Sequence, residues 1–345
     1  MSKFKLEFTL KQHTPIIHFQ SEQSGATLRA TELKPKFDRF LIELFDKEQI
    51  DYKDFLIAGQ ERALDYKVKI VSGQGARALP NKSLYFANNP ITNDNDKIKT
   101  LITHTAIKVE FFTFNKEIKS AIEKYFDEFM FMTNFGTRQS KGFGSFLKSS
   151  ITDNEIKKII ANQNNKVFLL TTYNEYNKAF LSIDTFYKKL KMGINKPYYK
   201  SLIFRYMCLS KKVGWEKKFI KNKFPQVIHG THEPIVCTEP DDKEFNYIRA
   251  VLGLAEHNEF RPDGGKKQVK IKSTNGIDRF KSPLTFKILN GYIYILHNDS
   301  YKQILNEEFN FSLNGNSEKI KTPEEFDMYK FLQFVEKETQ LIKEV

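Results

Sequence analysis

Between Asn134 and Phe146 the chain reads NFGTRQSKGFGSF, and no other stretch gathers as much potential chemistry. Gly136, Gly142 and Gly144 are interleaved with Thr137, Arg138, Ser140 and Lys141. Glycine admits positive φ and leaves its N–H uncovered by a side chain. Successive uncovered N–H groups form a concave anion site, and an adjacent Arg or Lys adds full positive charge. The chemistry predicted here is the holding of phosphate. Nucleotide P-loops run strand, loop, helix, with Gly-Lys followed by Ser or Thr. In this chain Lys141 precedes Gly142, Phe143 and Phe146 predict a strand after the loop, and the helical pattern lies before it. A mononucleotide ATPase site is therefore not expected. Taken alone, the stretch reads equally well as a loop that carries two cations.

A second basic group accompanies it. Thr27-Leu-Arg-Ala-Thr opens a predicted helix whose start is crowded by Arg29, Lys34, Lys36 and Arg39. Cations at a helix N-terminus oppose the macrodipole. A local rule broken in this way marks a candidate functional site, with ordinary surface charge as the alternative. Arg279 and Lys281, ahead of Ser282-Pro283, are the candidate counterparts in the second half of the chain. Phe143 reads either as a stacking surface for a splayed base or as core.

Catalytic and metal chemistry is weaker. Seven histidines are present, and His13 and His18 flank the end of the first predicted strand. They are the only candidates for a general base. His229, His232 and Glu233 lie between Pro225 and Pro234 in a spacing that fits no strong zinc pattern. Asp241-Asp242 reads as the acidic first turn of a helix. The two cysteines, Cys208 and Cys237, argue against a disulfide framework or a cysteine-based zinc site and for a reducing compartment. No cofactor and no metal are expected.

These residues must be positioned by a chain of 345 residues, enough for about two domains. Hydrophobic residues make up 40% and aromatics 14%, a globular composition. The net charge of +13 suits a polyanionic partner, although abundant Lys also follows from an AT-rich genome. Without an apolar leader or a bilayer-length apolar run, the expectation is a soluble, cytoplasmic protein without membrane partners.

Lys3–Gln12 alternates strictly and predicts a strand. Tyr66–Val71 and Thr105–Phe114 predict two more, and Lys116–Met132 a helix with Ile118, Ile122, Phe126 and Phe129 on one face. The first half thus reads strand, helix, strand, strand, helix, strand, a ferredoxin-like arrangement over residues 1–150. Its sheet would leave one face open, as in RNA-recognition modules. A polar linker spans 151–165. Residues 166–345 read as a second ferredoxin-like domain with extra helices, from a strand at Val167–Thr172, helices at Glu175–Lys191, Lys200–Phe219 and Asp242–Glu256, a hairpin turning at Asn290-Gly291, and a C-terminal helix over Pro323–Ile342. The predicted class is α+β, two RRM-like domains in tandem, the second degenerate and helix-rich.

Together these pieces resemble the RAMP superfamily of CRISPR-associated proteins. GTRQSKGFGS resembles that family's glycine-rich loop, and LRATELKPKFDRFL the early helix of the first RAMP subunit of type III-B (Cmr) effector complexes. YIRAVLGLAE and DRFKSPLTFKIL are similar to later stretches of the same subunit. Pro35 and Phe37 stand where that family has Gly and a Trp-rich stretch, and Phe135 precedes Gly136 where a Gly-Gly pair is common. The resemblance implies a non-catalytic RNA-binding subunit of a multi-subunit antiviral complex. It would contact the 3′ region of the guide RNA, the target RNA, or both, beside other RAMP subunits. Arg29, Lys34, Lys36, Arg39, Gly136, Arg138, Lys141, Gly142, Gly144, Arg279 and Lys281 are its candidate RNA-binding residues. Two alternatives stand beside it. One is a metal-independent guide-processing endoribonuclease, since relatives place a catalytic His near the position of His13 and His18. The other is a scaffold that only docks proteins.

Overall fold

The structure, a computed structural model, describes residues 3–18, 27–71, 77–79, 100–195, 198–224, 245–254, 257–260, 267–277 and 280–345. The chain divides into two compact units, Met1–Leu181 with Phe286–Leu296, and Ser182–Thr285 with His297–Val345.

In the first unit, alternation in KLEFTLKQ sends Phe8, Leu10 and Gln12 inward and forms β1 (Lys5–Gln12). The first amphipathic run follows as α1 (Ala30–Glu48), which buries Leu33, Phe37, Leu41 and Phe45. Then come β2 (Lys67–Val71), β3 (Ile107–Phe112), α2 (Lys116–Met132) and β4 (Phe146–Lys148). The strands lie in the order β2-β3-β1-β4, each antiparallel to its neighbour. This is the split βαβ arrangement predicted for the first half. Helix α2 starts and ends where its periodicity placed it, and Asn115 caps it by accepting from the Ile118 N–H at 2.9 Å.

The core between sheet and helices is built from phenylalanine. Phe37 packs on Phe129 at 4.7 Å between ring centroids and Phe8 on Phe126 at 4.4 Å, while Phe111 meets Phe37 edge-on at 5.8 Å. Each such pair is worth roughly 0.5–1.5 kcal/mol beyond its buried area. Within the linker predicted over 151–165 lies α3 (Asp153–Ala161), opened by a capping box between Thr152 and Glu155. β5 (Phe168–Thr172) follows.

The chain continues through α4 (Tyr176–Lys191), α5 (Leu202–Lys211) and α6 (Glu216–Lys223). One helix was predicted over Lys200–Phe219. It is two, because Lys212 takes a left-handed conformation and Gly214-Trp215 pair with Phe245-Asn246 as short parallel strands. Cys208 on α5 is disulfide-bonded, contrary to the expectation of reduced thiols. The helix predicted over Asp242–Glu256 is also absent from the described part of that range, where Ile248–Leu252 forms a 3-10 turn. Its polar groups are taken by other elements of the second unit. The Tyr247 N–H donates to the Lys321 carbonyl, the Ile248 N–H to Glu216, and the Leu252 and Gly253 carbonyls accept from Tyr187 and Lys191.

β6 (His257–Phe260) and β7 (Lys267–Ser273) precede the hairpin of β8 (Leu284–Leu289) and β9 (Tyr292–His297). Asn290 and Gly291, both at positive φ, make the predicted turn. Residues 286–296 belong to the first unit, where β9 runs antiparallel to β5 with Tyr294 opposite Leu169. In the second unit β10 (Glu308–Leu313) and β11 (Asn316–Lys321) complete an antiparallel sheet of order β6-β7-β10-β11, and α7 (Met328–Thr339) ends the helices. No helix among the described residues is long and apolar enough to cross a membrane.

Candidate nucleic-acid interface

The glycine-rich loop is a tightly tied structure. Gly136, Gly142 and Gly144 all take positive φ, and so does Arg138 at 55°. A Cβ on Gly144 would lie 1.9 Å from the Phe135 carbonyl oxygen, and one on Gly136 would lie 2.4 Å from that of Ile17. Glycine is required at both positions, by close approach as much as by φ. Gln139–Lys141 form a single 3-10 turn between Arg138 and Gly142.

Several N–H groups of this loop, those of Gly136 and Gly144 among them, point at the protein's own acceptors. Gly136 N–H donates to Glu32 Oε1 at 2.7 Å, Thr137 N–H to the Ile17 carbonyl at 2.7 Å and Gly144 N–H to the Pro15 carbonyl at 2.8 Å. Ser145 N–H donates to the Thr14 hydroxyl, which donates in turn to the Gly142 carbonyl at 2.7 Å. At Gly136 and Gly144 the N–H groups expected to be uncovered are taken by these acceptors. At Gly136 the anion already in place is the carboxylate of Glu32, brought in by the first turn of α1.

The same carboxylate orders the start of α1. Lys36 Nζ lies 2.7 Å from Glu32 and donates to the Asn134 carbonyl at 3.0 Å. Lys34 Nζ lies 2.7 Å from buried Asp38, donates to the Leu64 carbonyl and sits 4.1 Å above the ring of Tyr66. Burial raises the Asp38 carboxyl above its ordinary range, while the hydrogen bond from Lys34 acts the other way. The broken helix rule therefore has a structural remedy. Both lysines sit one turn from a carboxylate and are half-buried, so they face inward ties rather than open solvent.

The remaining candidates are distributed as follows. Arg29 is the N-cap residue of α1, half-buried, and Arg39 is exposed one face further along. Arg138 and Lys141 are half-buried in the loop. The Glu32–Gly136 contact brings the first turn of α1 against the loop, so Arg29 and Arg138 stand on neighbouring segments. Lys281 is exposed, and Arg279 lies outside the described residues. Phe143 is fully buried and stacks on Phe180 at 4.2 Å, which makes it core.

His18 is buried. Burial, reinforced by the charges of Lys287 and Lys11, pushes the His13 imidazole down to about 3. His229, His232 and Glu233 lie outside the described residues, among which no group of three or more metal-ligating side chains occurs.

Two residues that hold this region were not picked out by sequence reasoning. Glu32 is one, and its signal was the i,i+4 spacing to Lys36. The other is Lys287, fully buried in β8, whose Nζ donates to the carbonyls of Met130 and Thr133 at 2.7 Å and of Phe146 at 3.2 Å. It closes the C-terminal end of α2, where the helix leaves acceptors open. Burial lowers its pKa well below the ordinary lysine range. A lone Lys within the apolar run LTFKIL was the available sign.

Two family models match the chain, the Cmr1 N-terminal domain over residues 3–194 and the Cmr1 C-terminal domain over residues 198–344. Among solved structures, the crystal structure of Cmr1 from Pyrococcus furiosus (apo form) is similar over 99% of this chain and 98% of that one, at 10% identity and a TM-score of 0.46. A search of curated proteins found no match. The two matched domains account for nearly all of the sequence, and the chain belongs to the Cmr1 family, a RAMP family of the type III-B (Cmr) CRISPR complex.

Proposed function

We propose that this Cmr complex subunit binds RNA without cleaving it, contacting the 3′ region of the guide RNA or the target RNA beside neighbouring RAMP subunits in the cytoplasm. The observation that carries the reading is the bond from Gly136 to Glu32. Arg29, the N-cap of α1, and Arg138 of the loop lie on the segments that this bond joins. Guanidinium groups so placed contact phosphate oxygens without reading sequence.

The non-catalytic part of the reading is supported by the two candidate bases, since His18 is buried and His13 is largely so. An imidazole whose pKa is held near 3 is a weak base at neutral pH, far from the range in which general bases work best. We also infer two tandem ferredoxin-like domains, over 1–150 and 166–345. In their support, β5, α4, β8, β9, α7 and the short strand Lys343–Glu344 follow the order of the first half, with α5, α6, β6, β7, β10 and β11 inserted among them.

The test is titration of the full chain into labelled single-stranded RNA over a range of salt. Affinity should fall steeply, with a log–log slope of roughly −0.7 per phosphate contact. Arg29→Ala combined with Arg138→Asn, a residue that tolerates the left-handed conformation, should flatten the slope by about one to two contacts. An unchanged slope removes the loop from the site. RNA cut in EDTA by the wild type and left whole by His13→Ala or His18→Ala would replace the binding reading with the nuclease.

A further inference from the structure

Among the described residues, α1 and α2 pack on one face of the β2-β3-β1-β4 sheet, and the residues of its other face fall into register. Phe112 of β3 lies directly across from Lys5 of β1 and Lys67 of β2. In the next row Glu110 lies between Glu7 and Lys69, and in the row after it Lys108 lies between Thr9 and Val71. Lys11, opposite Leu147, ends the exposed part of the face, since Leu147 is fully buried. Five lysines thus share it with two glutamates. Lys5 lies 3.0 Å from Glu110 and 3.6 Å from Glu7, and Lys108 lies 3.6 Å from Glu7, which neutralises the acidic pair. Lys11, Lys67 and Lys69 are exposed; Lys69 faces Glu110 across the strands and acts on it through its charge, while Lys11 and Lys67 make no ion pair among the described residues.

At one end of this face stands an aromatic group. Phe112 is 38% exposed and Phe114, just beyond the strand, 73%. Their rings are 5.0 Å apart, and Phe4 contacts both, at 6.5 Å and 5.1 Å. Exposed phenylalanines in mutual contact on a face where five lysines outnumber two glutamates suit neither plain solvent nor an apolar protein surface. A single-stranded nucleic acid offers what the face lacks, phosphates for the lysines and unstacked base planes for the rings.

We propose that this sheet face is a single-stranded RNA platform, with backbone phosphates over Lys11, Lys67 and Lys69 and bases stacked on Phe112 and Phe114. The inference rests on the RNA-binding reading above and assigns it a surface distinct from the glycine-rich loop.

The experiment uses the full chain, a short labelled oligouridine and the same RNA carrying thiouridine for photocrosslinking. All four side chains to be replaced are exposed, so melting temperatures of the variants should match the wild type. Phe112→Ala with Phe114→Ala should weaken binding about tenfold or more. Lys67→Ala with Lys69→Ala should flatten the log–log salt slope by about 1.4. Crosslinked peptides should contain Phe112 or Phe114. Full affinity in both face variants, with loss only in the Arg29/Arg138 variant, overturns the platform and leaves RNA binding intact. Absence of RNA binding by the wild type overturns both. Face variants that lose a neighbouring protein subunit while keeping RNA would assign the face to that protein and overturn the platform.

Discussion

The carboxylate of Glu32 accepts the Gly136 N–H at 2.7 Å and holds the Lys36 ammonium at the same distance, so one side chain joins α1 to the glycine-rich loop. Charge-assisted bonds of this kind are about twice as strong as neutral ones. Glu32→Ala leaves the Gly136 N–H without its acceptor and Lys36 without its counter-ion. The expected loss is about 1–3 kcal/mol, read as a shift of the denaturant midpoint. Hydrogen exchange at Gly136 should also accelerate. Because the replaced group is an anion on the segment that joins the start of α1 to the loop, affinity for inorganic sulfate should rise in Glu32→Gln. A variant with wild-type stability and slow Gly136 exchange would remove Glu32 from this role.

The glycines of the loop differ from those of ordinary turns. Gly144→Ala would set a Cβ 1.9 Å from the Phe135 carbonyl, and backbone on both sides has to move. Gly276 and Gly315 also have positive φ, but nothing lies within 4 Å of their Cβ positions. Alanine there should cost about 1 kcal/mol through φ alone. At Gly144 the cost should be several times larger, and little soluble protein is expected. Equal yields and melting temperatures for Gly144→Ala and Gly276→Ala would contradict the close approach.

Local patterns predicted what local physics decides. The apolar spacing of Lys116–Met132 defined α2, the alternation of KLEFTLKQ defined β1, and Asn290-Gly291 defined its turn, because each depends on residues a few positions apart. The glycine-rich loop was legible as an element with positive φ but not in the bonds that tie it down, since the acceptors of its Gly136, Thr137 and Gly144 N–H groups come from Glu32, Ile17 and Pro15, more than a hundred positions away. The helix predicted over Asp242–Glu256 failed for the same reason. Its acidic start and apolar spacing were real, but the carboxylate of Glu216 and the hydroxyl of Tyr187 compete for the backbone. Lys34 and Lys36 drew attention as misplaced cations, and their carboxylate partners stood in plain view at i+4 and i−4.

Phe143 separates packing from recognition. Its ring is fully buried, 4.2 Å from that of Phe180 and nearly parallel to it. Phe143→Ala should lower stability by about 3–5 kcal/mol, as for other buried Phe truncations. RNA affinity measured well below the lowered melting temperature should not change. A stable Phe143→Ala protein with weakened RNA binding would return this ring to the interface.

Lys287 gives a second measure of how the first unit is held. Three backbone carbonyls converge on its ammonium, two of them from the last turn of α2 and its cap residue. Lys287→Met keeps much of the volume and removes every donor, so buried acceptors at the end of α2 lose their partner. The unfolding free energy should drop by about 2 kcal/mol or more, despite relief from burying a charge. Relief would dominate if the variant proved more stable, and the lysine would then be a liability rather than a fastening.

His13 should make the fold sensitive to acid. Its imidazole is pushed down to about 3 by burial first, then by Lys287 and Lys11, whereas in the unfolded chain it titrates near its ordinary value of 6.5. Between those two values the unfolded state binds a proton that the folded state refuses. Stability is therefore complete above about pH 6.5 and falls as pH is lowered toward 3. The loss should be on the order of 2–4 kcal/mol, less than the full shift implies because the ring keeps some contact with solvent. His13→Gln has no proton to take up, so its unfolding free energy should decline less over that window. The difference between the two proteins isolates this group from every carboxylate titrating in the same range. Curves that run parallel from pH 6.5 to 4 would show that the imidazole is protonated as readily in the fold as outside it, and the case against His13 as a base at neutral pH would fall with that result.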